Sequence, residues 1–118
     1  MCKNHVTSLE ITTELGDLSK EGVKFDDGKL RYDLIPIEAL CELAKVLTYG
    51  ANKYAERNWE KGLTYSRVYA AALRHIFAWW NNNDIDDESG FHHLSHALTN
   101  IVFLVTYIQR GVGVDDRP

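Results

Sequence analysis

The chain is poor in cysteine and contains no long apolar run. Its two cysteines, Cys2 and Cys41, are too few and too scattered for a CxxC metal site or a disulfide framework, which favours a reducing compartment. No segment approaches the roughly 20 apolar residues that span a bilayer, and the amino terminus lacks a signal-peptide pattern. We therefore expect a cytoplasmic protein without a membrane partner.

Positive charge is also scarce. Lys and Arg number 13 against 17 Asp and Glu, and the formal net charge is -4. This balance argues against general nucleic-acid binding, which normally needs a basic surface, but it allows a small anionic ligand held by a few local cations. The 45% hydrophobic and 25% charged content is that of an ordinary globular protein, and 118 residues suffice for one domain.

Apolar periodicity predicts an all-α domain over residues 23–113, between an amino-terminal tail over 1–22 and a carboxy-terminal tail over 114–118. Within the first tail, residues 9–13 are a candidate strand. Helices are expected over 36–48, from Ser66 to Trp80, and over 91–110, with a short helical piece near 53–54. The boundary signals are Pro36, Gly50, Ser66, Gly111 and Gly113.

The last helix is predicted to bury one apolar side. That side consists of Leu94, Ala97, Leu98, Ile101, Val105 and Ile108. With little strand signal elsewhere, the chain is expected to form a small bundle of three to five helices. Because such a bundle buries little surface alone, we expect dimerisation or a higher homo-oligomer to complete it.

Histidines are concentrated at the start of the last helix. His92, His93 and His96 follow the acidic run 84–88, and His75 lies on the preceding helix. His93 and His96 share one helical stripe, so antiparallel packing would bring His75 to face them. Imidazoles and carboxylates held at this spacing are ligands for a divalent ion, which predicts metal-dependent chemistry.

Each of these residues also has a plain structural interpretation. A single helical histidine is more often hydrogen-bonded than metal-bound, and acidic residues before a helix often stabilise its amino-terminal dipole. Two further segments favour a phosphate-bearing ligand. The turn-rich loop 24–33 carries Lys24, Lys29 and Arg31, although solvated cationic loops are common. Residues 49–59 combine Lys53, Tyr54, Asn58 and Trp59, which suit a nucleobase, although Trp59 suits the core equally.

Three ordered motifs resemble a known phage family, the amino-terminal domain of dATP/dGTP diphosphohydrolases. They are KFDDGKLRYDLIP at 24–36, VLTYGANKYAERNWEKG at 46–62, and the stretch from Arg74-His75 through 86–90 to His93, His96 and Asn100. The resemblance implies removal of pyrophosphate from purine deoxynucleoside triphosphates, in the manner of MazG-like all-α pyrophosphatases. Those enzymes hold magnesium with an E-x-x-E and an E-x-x-D pair, whereas here His75, His93 and His96 occupy matching places. Imidazole favours Mn²⁺, Fe²⁺, Co²⁺ or Zn²⁺ over Mg²⁺.

The leading hypothesis is a metal-dependent nucleotide phosphohydrolase. The expected metal ligands are His75, His93, His96 and Glu88, and the expected catalytic groups are Glu88 and Asp86. The expected substrate-binding residues are Lys24, Lys29, Arg31, Lys53, Tyr54, Asn58, Trp59 and Arg74. A rival function is a phage nucleotide-binding protein that sequesters or cleaves a nucleotide defence signal, and a third is a structural helical module with histidines at an oligomer interface. A phage protein of either kind would work in the host cytoplasm.

Overall fold

The computed structural model describes residues 21–118. The chain divides into two compact units, Met1–Leu40 and Cys41–Pro118. The strand predicted at residues 9–13 and most of the predicted tail over 1–22 lie outside the described residues. The domain boundaries expected at 22 and 113 stay predictions.

Within residues 21–118 the fold has three α-helices: α1 (Ile37–Lys53), α2 (Tyr65–Trp80) and α3 (His93–Arg110). Two short 3-10 helices, Tyr32–Leu34 and Asn58–Lys61, precede α1 and α2 respectively. Residues 21–118 contain two isolated β-bridges and no named strand. The predicted all-α class is therefore confirmed.

Two helix boundaries differ from those expected at glycine and serine. Helix α1 continues through Gly50, because this glycine keeps a helical conformation and its carbonyl accepts from Tyr54 N–H at 2.9 Å. Helix α2 begins at Tyr65 after Thr64, and Ser66 is not its N-cap. The Ser66 N–H instead donates to the Asp116 carboxylate at 2.9 Å, so a distant acidic side chain takes over the capping.

Helices α2 and α3 form an antiparallel pair. Tyr65, at the start of α2, stacks on Tyr107 near the end of α3, while His75 and His93 meet at the opposite end of the pair. Tyr107 is fully buried, and its hydroxyl donates to the Trp59 carbonyl at 2.6 Å. This aromatic core anchors the segment before α2 against α3, and it fixes the helix pair in register.

The prediction of which side of α3 is buried is wrong for most of the residues named. Leu94, Ile101, Val105 and Ile108 are 39–58% exposed, and only Ala97 of the predicted set is buried. The buried α3 residues are instead His93, Ser95, Ala97, Thr99 and Tyr107. Helix α2 and the 3-10 helix Asn58–Lys61 cover a different face of α3 from the one that its apolar period indicated.

Cys41 lies on α1, and Cys2 lies outside the described residues, so the reduced state expected of the two cysteines stays a prediction. Among the described residues, no helix is both long and apolar enough to cross a bilayer.

Candidate active site

The turn between α2 and α3 holds the site in place. The His93 N–H donates to the Asp84 carbonyl at 2.7 Å, and the Asp86 N–H donates to the Phe91 carbonyl at 2.8 Å. These bonds fold the acidic run back over the start of α3. The Asp86 side chain is therefore held beside histidines that are distant from it along the helices.

His75 and His93 form the centre of the site. Their Nδ1 atoms lie 2.9 Å apart, so one ring donates its Nδ1–H to the other. His93 is 7% exposed, and its Nε2 is buried without a hydrogen-bond partner. A buried imidazole nitrogen without a partner is costly in a folded protein, which marks it as a site for a ligand that the protein atoms do not supply.

A third donor completes this group. His75, Asp86 and His93 each offer one ligand atom, and these atoms all lie within 4.8 Å of one another. Two nitrogens and one carboxylate oxygen form a donor set that suits a first-row divalent ion. Of the four expected metal ligands, this cluster brings together His75 and His93. Asp86, expected as a catalytic group, is its oxygen donor.

His96 lies beside the cluster, and its contact with Ser89 determines which ring nitrogen carries the hydrogen. The Ser89 Oγ is 2.7 Å from Asp86 Oδ2 and 2.6 Å from His96 Nε2, and it accepts from the Phe91 N–H at 3.2 Å. The single hydroxyl proton must point at the ionised carboxylate, which has no proton of its own to offer. His96 therefore donates through Nε2–H, and its Nδ1 keeps the lone pair.

The pKa values of these groups follow from burial and mutual charge. Burial is the largest cause that lowers the pKa of His75 to about 4, and the neighbouring His96 and His93 act in the same direction, so His75 is neutral at pH 7. Burial also lowers the pKa of His96, although Asp86 opposes this. Burial raises the pKa of Asp86, but bonds from Ser89 and the adjacent imidazoles outweigh it and leave the pKa below its ordinary value.

Glu88 is held apart from this cluster by Lys53. The Lys53 ammonium donates to the Glu88 carboxylate, and the Tyr49 hydroxyl donates to the same oxygen at 3.3 Å. The bond from Lys53 lowers the pKa of Glu88 and raises the pKa of the ammonium. Glu88 is thus a neutralised carboxylate at the rim, 64% exposed, rather than a member of the histidine group.

A cavity of about 530 Å³ opens beside the histidines, within the second unit. Its wall includes His75, His96, Asp86 and Glu88, together with the expected substrate residues Lys53, Tyr54, Asn58, Trp59 and Arg74. Arg67 joins Arg74 on the α2 side of the wall. No ion pair to either guanidinium is present among residues 21–118, so both charges are available to an anion.

The aromatic residues of the cavity divide between core and rim. Trp59 stacks on Phe103 with ring centroids 4.5 Å apart, and it packs against the buried Tyr65–Tyr107 cluster. Tyr54 is 67% exposed, with the Lys53 ammonium 5.3 Å from its ring centroid. The two interpretations of Trp59 are therefore compatible, because the ring contributes to the core and to the cavity wall.

The cationic loop belongs to the first unit. Lys24, Lys29 and Arg31 are exposed, and the Arg31 guanidinium makes two bonds to Asp33, at 2.9 and 2.8 Å. The loop turns at Gly28, which has φ +80°, and the Lys29 N–H donates to the Asp26 carbonyl at 3.0 Å.

Sequence reasoning missed the role of Ser89 and gave His92 no clear direction. The Asp86-x-x-Ser89 spacing is a signal for Ser89, because an acidic side chain commonly bonds to backbone and hydroxyl groups three residues on. His92 is the N-cap of α3, and its Nδ1 accepts from the Leu94 N–H at 3.0 Å. This capping bond explains the position of His92 without any need for a bound ligand.

Comparisons with known proteins agree with the sequence motifs. Residues 19–117 match a family model described as "dATP/dGTP diphosphohydrolase, N-terminal". A curated relative, the dATP/dGTP diphosphohydrolase of Salmonella phage PMBT28, is 38% identical over 96 residues, which are 81% of this chain and 33% of that relative. The chain thus spans about a third of the relative's length. No solved structure matches the chain.

Proposed function

Because the chain belongs to the family of dATP/dGTP diphosphohydrolase amino-terminal domains, we propose that it is a metal-dependent nucleotide phosphohydrolase. Its substrates are purine deoxynucleoside triphosphates, from which it removes pyrophosphate. The observation that carries this proposal is the convergence of His75, Asp86 and His93 beside a cavity. The wall of that cavity includes His75, Asp86 and two arginines that have no ion pair among residues 21–118.

The donor set fits a divalent ion. His75 is neutral at pH 7, Asp86 is ionised, and the buried His93 Nε2 lacks a protein partner. Two imidazoles favour Mn²⁺, Fe²⁺, Co²⁺ or Zn²⁺ over the harder Mg²⁺. An ion bound there would supply Lewis-acid polarisation of a phosphoryl oxygen and a lower pKa for its water.

The remaining charges of the cavity suit the triphosphate. Arg67 and Arg74 lie two helical turns apart on the cavity side of α2, which allows them to contact successive phosphate groups. Their guanidinium groups would stabilise the negative charge that builds as the phosphoanhydride breaks. Lys53 would neutralise a further oxygen after exchanging Glu88 for the substrate.

Proton transfer falls to the groups nearest the cluster. Lys53 lowers the pKa of Glu88, which makes this carboxylate a weak base at pH 7. His96 is neutral, lines the cavity and retains a lone pair on Nδ1, because its Nε2–H donates to Ser89. We therefore place His96 beside the expected Asp86 and Glu88 as a candidate proton acceptor.

Base and sugar recognition rest on other residues of the cavity wall. Tyr54 provides an exposed ring at the rim, and Asn58 provides an amide for the edge of a base. Asn100 donates to the His96 carbonyl through Nδ2 at 2.9 Å, which leaves its side-chain carbonyl to accept from a sugar hydroxyl or a base amino group. The cavity volume is in the usual range for small-ligand sites, roughly 300–1,000 Å³.

The test is turnover of a deoxynucleotide panel with added Mn²⁺, Co²⁺, Zn²⁺ or Mg²⁺. Asp86→Asn is expected to lower kcat at least 100-fold, because it removes the only carboxylate of the cluster. Asp87→Asn is the matched control, since Asp87 is exposed, adjacent and outside the cluster. It should retain wild-type turnover.

Calorimetric titration with the same nucleotides separates the rival function. Tight binding by the folded wild-type protein, with no product under any metal, would replace hydrolysis by sequestration. Absence of both binding and turnover for the whole panel would end the proposal.

A further inference from the structure

The α2–α3 pair has an uncovered apolar face, here called the outer face. It consists of Tyr69, Leu73, Phe77 and Trp80 on α2 and of Leu94, Leu98, Ile101, Val105 and Ile108 on α3. Trp80 is 75% exposed, and Phe77 and Ile108 are each 58% exposed. Large apolar side chains exposed together over two helices mark a surface that is covered by a partner.

The outer face points away from the cavity. The α2 residues that line the cavity are Arg67, Val68, Ala71, Arg74 and His75, and none of them belongs to the outer face. On α3, the cavity side consists of His96, Thr99, Asn100 and Phe103. Any partner on the outer face would therefore leave the cavity of each chain open.

The spacing of the α3 residues identifies the kind of partner. Leu94, Leu98, Ile101, Val105 and Ile108 follow one another at intervals of four, three, four and three residues. This alternation is the seam by which α-helices pair in a left-handed bundle, where each side chain inserts between those of a facing helix. None of the nine residues of the outer face is charged, so the face meets an identical copy without repulsion.

The area is also appropriate. The seven exposed side chains among the nine present on the order of 700 Å² of mostly apolar surface, since a large aromatic side chain buries 150–250 Å² when fully covered. A stable interface needs about 800 Å² from each partner. Only six apolar residues are buried among residues 21–118, which leaves the isolated chain short of core.

We propose that the outer face binds a second copy of this chain, so that two α2–α3 pairs close into a four-helix bundle. The two outer faces meet inside this bundle, and the cavity of each chain lies on the side of its helix pair away from the partner. In that dimer, the apolar side of α3 that is exposed in one chain would be buried against the partner copy. This dimer does not depend on the proposed hydrolysis, because no residue of the outer face lines the cavity.

Sedimentation analysis of the 118-residue protein tests the proposal. The wild type is expected at twice the 13.5 kDa of one chain at micromolar concentrations. Ile101→Glu places a charge in the middle of the seam and should raise the dimer dissociation constant at least 100-fold. Gln109→Glu is the matched control, because it adds the same charge to an exposed α3 position off the seam, and it should stay dimeric.

Circular dichroism of Ile101→Glu checks that the helices persist in the monomer. If that variant does not fold, the double change Ile101→Ala with Val105→Ala removes apolar area without adding charge and should still weaken the dimer at least tenfold. A wild-type protein that remains at 13.5 kDa up to several hundred micromolar would overturn the proposal. Dimers that both seam variants leave intact would also overturn it.

Discussion

Replacing Ser89 by alanine tests the hydrogen-bond arrangement of the site most directly. The hydroxyl donates to Asp86 Oδ2 and accepts from His96 Nε2–H and from the Phe91 N–H. In Ser89→Ala, both donors lose their acceptor, while Asp86 keeps the backbone bond from residue 89 at 2.9 Å. The change therefore removes three contacts and leaves one in place.

The magnitude follows from burial. A net hydrogen bond contributes about 1 kcal/mol, and one to a charged group about 1.5–3 kcal/mol. The side chains of His96 and Asp86 are 12% and 21% exposed, so water replaces part of the loss. We expect the free energy of unfolding to fall by about 2 kcal/mol, measured by urea denaturation of the metal-free protein.

A second readout distinguishes positioning from simple stability. Without the hydroxyl, His96 Nε2 faces Asp86 Oδ2 directly from 3.5 Å, and the carboxylate should raise the pKa of His96 toward or above its ordinary value. A proton NMR titration measures this pKa. Affinity for Mn²⁺ should fall by about 10–100-fold, the usual cost of losing a residue that orients a metal ligand.

Ser89→Thr keeps the hydroxyl and should retain most of the stability and affinity. The reasoning is refuted if Ser89→Ala unfolds within about 0.5 kcal/mol of wild type and leaves the pKa of His96 unchanged. Such a result would mean that the hydroxyl proton does not point at Asp86.

Two further predictions concern pH and backbone shape. Because the pKa of folded His75 is about 4, the unfolded chain binds more protons between pH 5 and 7, so stability falls as the pH falls. After discounting for solvent screening, urea denaturation of metal-free protein should show a loss of about 1 kcal/mol from pH 7 to pH 5. The same loss in His75→Gln would contradict the assignment of this pH dependence to His75. Gly62→Ala should destabilise by about 2–4 kcal/mol, because Gly62 has φ +97° and a Cβ there would lie 2.5 Å from the Gly113 nitrogen. Gly50→Ala is its control in thermal unfolding, since a Cβ at Gly50 meets nothing within 4 Å and should raise stability by about 0.5–1 kcal/mol; equal effects at the two glycines would refute the close-approach argument.

Local signals in the sequence predicted the helical elements well. The end of α2 at Trp80 and the end of α3 before Gly111 agree with the expected positions, because stop signals act within one turn. The start of α2 differed because its cap comes from Asp116, whose contact with Ser66 depends on the folded chain. No local pattern contains that information.

The sequence predicted which kinds of residue form the candidate site, but not which of the acidic residues belong to it. Helical spacing, together with the expectation of antiparallel packing, predicted that His75 faces His93, and the structure brings their Nδ1 atoms to 2.9 Å. The pairing of Glu88 with Lys53 and the inclusion of Asp86 in the cluster depend on how the turn 81–92 folds back. Carboxylates in an acidic run are equivalent by sequence, and only backbone bonds distinguish them.

The sequence by itself determined the all-α class, the helices that carry His75, His93 and His96, and a seam of apolar residues along α3. Only the tertiary structure decided which face of α3 meets α2. A helix with apolar residues on more than one side can pack any of those sides against its neighbour. Burying His93 and Tyr107 against α2 satisfies the aromatic core and leaves the 4-3 seam exposed. The packing of complete side chains, and not the spacing of apolar residues along the helix, determined which face of α3 is buried.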